Sequence, residues 1–309
     1  NGSATKRRIR LQAAGWNATS VTMRAFHMKI RLAASLLGLA ASGLAFSAPA
    51  MAQEEAPSEI TVSGTVGLVS DYRFRGVSQT DKEMAVQGGI TVSHESGIYV
   101  GTWASNLAGW GTFGGSNMEL DLVAGYAAEV ASGLKVDVGL TWYMYPGGAS
   151  DTDFAEPYVK LSGTVGPANL LVGAAYAPKQ QALGKVYASG ADYAAGIGNF
   201  GAKTDNLYLW ADGNTAIPGT PLTLKAHLGY SNGNSGLGPN GTSVAPTGEY
   251  LDWMLGADLA LGPVVLGVAY VDTDISKSQS AYLQPNFSST KNGSQIAGST
   301  VLFSASASF

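Results

Sequence analysis

The chain of 309 residues contains no cysteine. That excludes a disulfide framework, a thiolate metal site and a lipoprotein anchor. Charged residues are scarce, at 13%, and unevenly placed. Seven of the 18 Lys and Arg fall in residues 1–52, and none of the 22 Asp and Glu does. Beyond Ala52 the balance is 11 basic to 22 acidic residues, a net charge of −11. A nucleic-acid partner needs clustered positive charge and is therefore not expected. Long apolar runs are also missing. Leu32 to Phe46 is the one sustained run, and it falls short of the roughly 20 residues that a spanning helix requires. Membrane insertion is then open to this chain only as a closed barrel.

The amino end reads as an export leader. Met28-Lys-Ile-Arg31 is basic, Leu32 to Phe46 is apolar, and Ala50-Met-Ala52 is a small-x-small cleavage site before Gln53. Residues 1–27 are basic and fit no fold; Met23 and Met28 both offer later starts. The expected division is an upstream extension (1–27), a signal peptide (28–52) and a barrel (53–309).

The carboxyl end carries the clearest periodicity. Val301, Phe303, Ala305, Ala307 and Phe309 share one face; Thr300, Leu302, Ser304, Ser306 and Ser308 share the other. A strand apolar on one side and hydroxylic on the other separates two solvents. Ending on an aromatic, it matches the closing strand of an outer-membrane barrel, with lipid outside and a polar lumen within. The last strand of a soluble sandwich would alternate in the same way.

The remaining chain favours the barrel. Twelve strands are expected near 59–75, 83–95, 98–106, 117–130, 134–145, 153–165, 168–178, 204–212, 221–231, 249–261, 264–273 and 299–309, an even number. Short connections such as Ala131-Ser-Gly133 and Gly262-Pro263 alternate with long ones near 76–82, 107–116, 146–152, 179–203, 232–248 and 274–298. The fold class is an all-β transmembrane antiparallel up-and-down barrel. Both termini lie on the short-turn, periplasmic side. Aromatic residues at the ends of the apolar faces form expected interface girdles: Tyr72, Phe74, Trp142, Tyr230, Trp253 and Tyr270 at the long-loop end, Tyr126 and Phe309 at the other.

Ser70-Asp-Tyr-Arg-Phe-Arg-Gly-Val-Ser-Gln79, Ala85-Val-Gln-Gly-Gly89 and Ser93 to Asn106 resemble a proteobacterial outer-membrane family, the TorF-type porins or Gcw-chp family. Tyr250-Leu-Asp-Trp253 and Ala269-Tyr-Val-Asp-Thr-Asp274 are similar to it as well. The resemblance spans the chain beyond the leader and implies a porin-type barrel. It carries no set of binding residues.

The opposite faces supply the candidate pore lining: Asp71, Arg73, Arg75, Glu119, Asp121, Lys135, Asp137, Glu156, Lys160, Lys225, His227, Asp252 and Asp258. Asp71, Arg73 and Arg75 lie at i, i+2 and i+4. They read either as part of a charged constriction or as a wall ion pair that only supports the barrel. The mildly acidic balance argues for at most a weak cation preference.

Other motifs have plainer readings. Gly196-Ile-Gly-Asn-Phe-Gly201 matches the dinucleotide pattern, but in an all-β context rather than a βαβ unit. Asp151-Thr-Asp153 and Asp272-Thr-Asp274 lack the glycine and closing glutamate of a calcium loop. A lipase-like barrel would need a Ser–His pair oriented by a third group at the lipid edge. His94 lies on the short-turn side and His227 has lumen parity, so no enzyme, cofactor or metal is expected.

The expected partners are the bilayer and its lipopolysaccharide, the barrel-assembly machinery (engaged through the strand ending at Phe309), and small polar solutes. The expected function is passive diffusion of those solutes. A non-conducting structural or adhesive barrel, binding a partner through its long loops, is the alternative, and an outer-membrane enzyme is third.

Overall fold

The computed structural model describes residues 59–309. The leader, its cleavage site and the upstream extension lie outside the described residues.

Twelve antiparallel strands close into a barrel, each paired with the next in sequence. They are β1 (Ile60–Val69), β4 (Ala85–His94), β5 (Ile98–Asn106), β6 (Met118–Ala131), β7 (Leu134–Met144) and β8 (Phe154–Val165). They continue as β9 (Ala168–Gln180), β10 (Thr204–Ala216), β11 (Leu222–Asn232), β12 (Glu249–Leu261), β13 (Val264–Thr273) and β14 (Thr300–Ser308). Two further strands, β2 (Arg73–Phe74) and β3 (Val77–Ser78), form a separate small hairpin.

Closure joins β14 to β1, with Thr65 opposite Ser308 and Val69 opposite Ser304. The last residue extends this pairing. Gly64 and Phe309 exchange both backbone hydrogen bonds, at 3.0 Å each. The Phe309 ring lies directly over Gly64, where any side chain would collide with it. The ladder is thereby complete to the chain's end and leaves no free edge, which is the condition for a sheet to sit in hydrocarbon.

The period-two pattern sorts two surfaces. Ile60, Val62, Val66 and Leu68 of β1 are exposed, as are Val86 and Ile90 of β4, Leu224 and Leu228 of β11, and Val301 and Phe303 of β14. Their neighbours of opposite parity point inward. An outer surface of exposed Leu, Ile and Val is the reverse of a soluble protein, and each such side chain gains roughly 1.5–3 kcal/mol on leaving water. Among the described residues no helix is long and apolar enough to cross a membrane; the crossing elements here are strands.

Short turns at one end carry glycines with positive φ, as at Gly133 (73°) and Gly262 (62°). The long connections at the other end do not splay outward. Trp110, Val186, Leu237, Leu283, Phe287 and Ile296, from four loops, are buried together in one apolar cluster. Trp110 and Phe287 meet edge to face at 4.8 Å. The loops thus form a packed layer over this end.

One element departs from the sequence expectation. The first strand does not run to residue 75. It ends at Val69, and residues 71–81 turn into the barrel, where all of them are buried. Arg75 and Gly76, with φ of 49° and 79°, occupy the two central positions of a tight β2–β3 turn, with Phe74 opposite Val77. Two successive positive φ values are the signature of a two-residue hairpin turn whose twist suits the flanking strands. Tyr72 and Phe74 are therefore not girdle residues. Both are buried inside the barrel, Tyr72 edge to face with Trp103 at 5.4 Å and Phe74 with Tyr143 at 5.8 Å. Alternation at period two describes a hairpin strand as well as a wall strand, and so did not distinguish them.

Candidate functional site: the lumen and its inward hairpin

The hairpin is organised by Asp71. One carboxylate oxygen accepts from Arg73 Nε at 2.7 Å, and the other from Ser78 Oγ at 2.6 Å. Arg73 Nη1 donates further to the carbonyls of Gly76 and Ile296, both at 2.9 Å, tying the hairpin to the 274–299 connection. The tip reaches the opposite wall. Arg75 Nη2 lies 2.7 Å from both Glu156 oxygens on β8, and its guanidinium sits 4.1 Å from the Tyr208 ring centroid on β10. Burial weakens the Arg75 charge, but Glu156 beside it more than offsets this, and the pKa stands above its ordinary value. Burial, followed by the Glu119 carboxylate, pushes the Tyr72 phenol well up, so it stays a donor to Glu119 at 3.1 Å. The hairpin is a strap across the lumen, latched at its tip by a buried ion pair.

Below the strap the candidate charges all point inward. Lys160 pairs with Asp137 at 3.4 Å, and Lys225 pairs with Asp258. His227 bridges Asp212 (2.7 Å, through Nδ1) and Asp252 (3.1 Å, through Nε2). Glu119 and Asp121 lie on one face of β6, and both are buried; neither Asp121 oxygen has a hydrogen-bond partner. Lys135 is half-buried near the short-turn end. Asp71, Arg73 and Arg75 belong to the strap rather than to a wall strand, and their ion pairs, Arg73 with Asp71 and Arg75 with Glu156, hold it.

Several inward residues escaped the sequence reading. Tyr99, Tyr158 and Tyr208 project into the lumen and are buried there in one cluster. The Tyr99 hydroxyl donates to Asp137 at 2.6 Å and also meets the Tyr158 hydroxyl, while Tyr208 donates to Asp252 at 3.2 Å. Glycines opposite them make the room: a side chain at Gly125 would strike Tyr99, and one at Gly229 would strike Tyr208. Parity was the available signal, since Tyr99 alternates with the same face as Gly101 and Ser105.

Of the expected girdle residues, Tyr126, Trp142, Tyr270 and Phe309 face outward and are exposed, with Tyr230 and Trp253 partly so. Tyr230 and Tyr270 donate to Glu249 and Asp272 at 2.9 Å, as rings at a polar boundary do.

The remaining motifs resolve into local structure. Gly196 caps a short helix, α1 (Gly190–Ala195), whose start is capped by Ser189; no strand–helix unit accompanies it. Asp153 accepts from the Tyr145 amide at 3.0 Å, and Asp274 from the Leu251 amide at 2.8 Å, both as loop caps. His94 Nδ1 contacts Ser96 Oγ at 2.9 Å on an exposed turn with no acid to orient it. Among the described residues no group of acids and histidines is arranged to hold a metal ion.

A family profile of bacterial proteins of unknown function, designated Gcw_chp, matches residues 53–309. The chain belongs to that family. No curated protein matches it. Among solved structures, it is similar to a KdgM porin in complex with disordered oligogalacturonate, at 10% identity over 80% of this chain and 98% of that one, with a TM-score of 0.44. It is also similar to the outer-membrane channel DcaP of Acinetobacter baumannii, at 11% identity over 84% and 100%, with a TM-score of 0.36. These are likenesses to barrels, and nothing about solute or partner passes from those proteins to this Gcw_chp member.

Proposed function

We propose that this chain is a porin-like channel of the Gram-negative outer membrane, of TorF type, passing small polar solutes by passive diffusion through a lumen narrowed by the 71–81 strap. The observation that carries the reading is the two-solvent closure: twelve strands with no free edge, aliphatic outside and hydrogen-bonding inside. A structural barrel needs the outside only. The lumen of a twelve-strand barrel lies between the filled interior of eight strands and the open channel of sixteen. Here tyrosines and ion pairs take up much of that width, so the reading calls for a low, discrete conductance.

Residues 28–52 serve in this reading as the secretory signal, after an upstream extension at 1–27. The barrel of 53–309 is delivered to the assembly machinery through its terminal strand and Phe309, and its outer leaflet contact is lipopolysaccharide. No catalytic role is assigned to His94 or His227.

The second reading, a non-conducting structural or adhesive barrel, draws on the packed loop layer over the long-loop end. Planar-bilayer recording separates the two. Stepwise conductance from purified, heat-modifiable protein is expected; silence from folded protein would favour the structural barrel.

A further inference from the structure

The lumen is not filled evenly. On β5, β8, β10 and β11 the inward positions carry Tyr99, Trp103, Tyr158, Lys160, Tyr208, Trp210, Lys225 and His227. On β14, β1 and β4 the paired inward positions are all small or uncharged. Ser304 lies opposite Val69, which lies opposite Ala85. Ser306, Gly67 and Gln87 make the next rung, followed by Ser308, Thr65 and Gly89, and then Ser63 and Thr91. Along this seam Ser63, Thr65, Gly67, Gln87, Ser304, Ser306 and Ser308 remain partly exposed. Asp137 and Lys160, across the barrel, are buried, as are Lys225 and Asp258 beside Ser304. Solvent therefore reaches the hydroxyl seam, where no charged side chain of β14, β1 or β4 projects inward. At the seam's upper end a cavity of about 60 Å³ lies under the strap, its lining combining polar Thr65, Gln87, Ser304 and Ser306 and the Asp71–Arg73 pair with apolar side chains such as Trp103. At about 10–15 Å³ per enclosed water, that is space for on the order of four to six waters.

We propose that the β14–β1–β4 seam is the permeation lane of this barrel, and that the cavity at its head binds a small uncharged solute bearing both hydrogen-bond donors and acceptors, such as a short polyol or an amide. This rests on the channel reading and names its path and solute class. Serine and threonine hydroxyls donate and accept, as does the Gln87 amide, so they can replace water around such a solute in either sense. A charged solute fares worse. The charges bordering the lane are already paired, Arg73 with Asp71 and Lys225 with Asp258 beside Ser304. An ion entering it sheds water and finds no unpaired counter-charge, and that desolvation costs several kcal/mol.

The lack of native cysteine makes the test clean. Single cysteines are placed at Ser306 and Thr65, in the lane, and at Ser231, inward on β11 and fully buried. Each folded variant is treated with a neutral, a cationic and an anionic methanethiosulfonate. The Ser306→Cys and Thr65→Cys thiols should react at least tenfold faster than the Ser231→Cys thiol. In the lane, the neutral reagent should lead both charged ones by a similar factor after correction for their rates with a free thiol. Equal rates at all three sites would overturn the lane, and equal rates for all three reagents would overturn the solute class. Ser306→Trp should cut the conductance of a conducting barrel several-fold, and an unchanged conductance would also overturn the lane. Labelling needs no current, so a barrel that labels as expected but never conducts would refute the channel reading and leave the cavity assignment standing.

Discussion

Most of the basic side chains inside this barrel are paired with acids, and the consequences can be read one side chain at a time. Lys225 and Asp258 are both buried in mutual contact. Removing one partner strands the other, at a cost of about 3–5 kcal/mol, whereas an apolar pair of similar volume is often neutral. Lys225→Met should therefore lower the denaturation midpoint of the folded barrel markedly, and Lys225→Met with Asp258→Leu should recover most of it. A double variant as unstable as the single would show that the pair acts through something other than its charge. Arg75 makes a different prediction because it lies in the strap. Arg75→Gln should unlatch the tip from Glu156 and leave that carboxylate in the lumen. Conductance and cation preference should then both rise, most at low salt, since the Debye length is already about 8 Å at physiological ionic strength. A reversal potential and conductance that do not move would make Arg75 an ordinary support.

Element by element, the periodic parts of the chain were legible and the aperiodic parts were not. Both solvents of β14 could be read from Val301 to Phe309, because every second residue meets lipid. The wall strands followed for the same reason, though β10 runs on to Ala216 and β1 stops at Val69. Tyr72 and Phe74 were placed on the wrong surface because the strap keeps a period of two while leaving the wall. The seam was illegible for another reason: its character comes from Ser306, Gly67 and Gln87 standing on one rung, and rung partners come from strands far apart in sequence. The strap itself can be challenged at Gly76, where φ is 79° and an added Cβ would meet Thr273 and Asp252. Gly76→Val forces a β-branched residue into that conformation at a cost on the order of 1–3 kcal/mol. The strap should loosen and conductance should rise, with the heat-modifiable fold retained; a current identical to wild type would show that the strap does not limit flow. At the terminal strand, deleting Phe309 removes both hydrogen bonds to Gly64 and uncovers that glycine. The fraction of heat-modifiable protein in outer-membrane preparations should fall. Undiminished assembly would count against the terminal residue as an assembly signal.

For the whole molecule, one sheet solves two solvation problems. Closure gives each wall strand two neighbours, the outer face is aliphatic, and the inner face pairs most of its charges and keeps one side lined with hydroxyls. The strap and the packed loops narrow a lumen that twelve strands would otherwise leave wider. The most direct test of a strap-narrowed channel is single-channel recording in planar bilayers, comparing the native barrel with a variant in which residues 71–81 are replaced by a Gly-Ser linker. Small discrete steps are expected from the native protein, and steps several-fold larger from the variant. Silence from both, with the barrel shown to be folded and inserted, would contradict it.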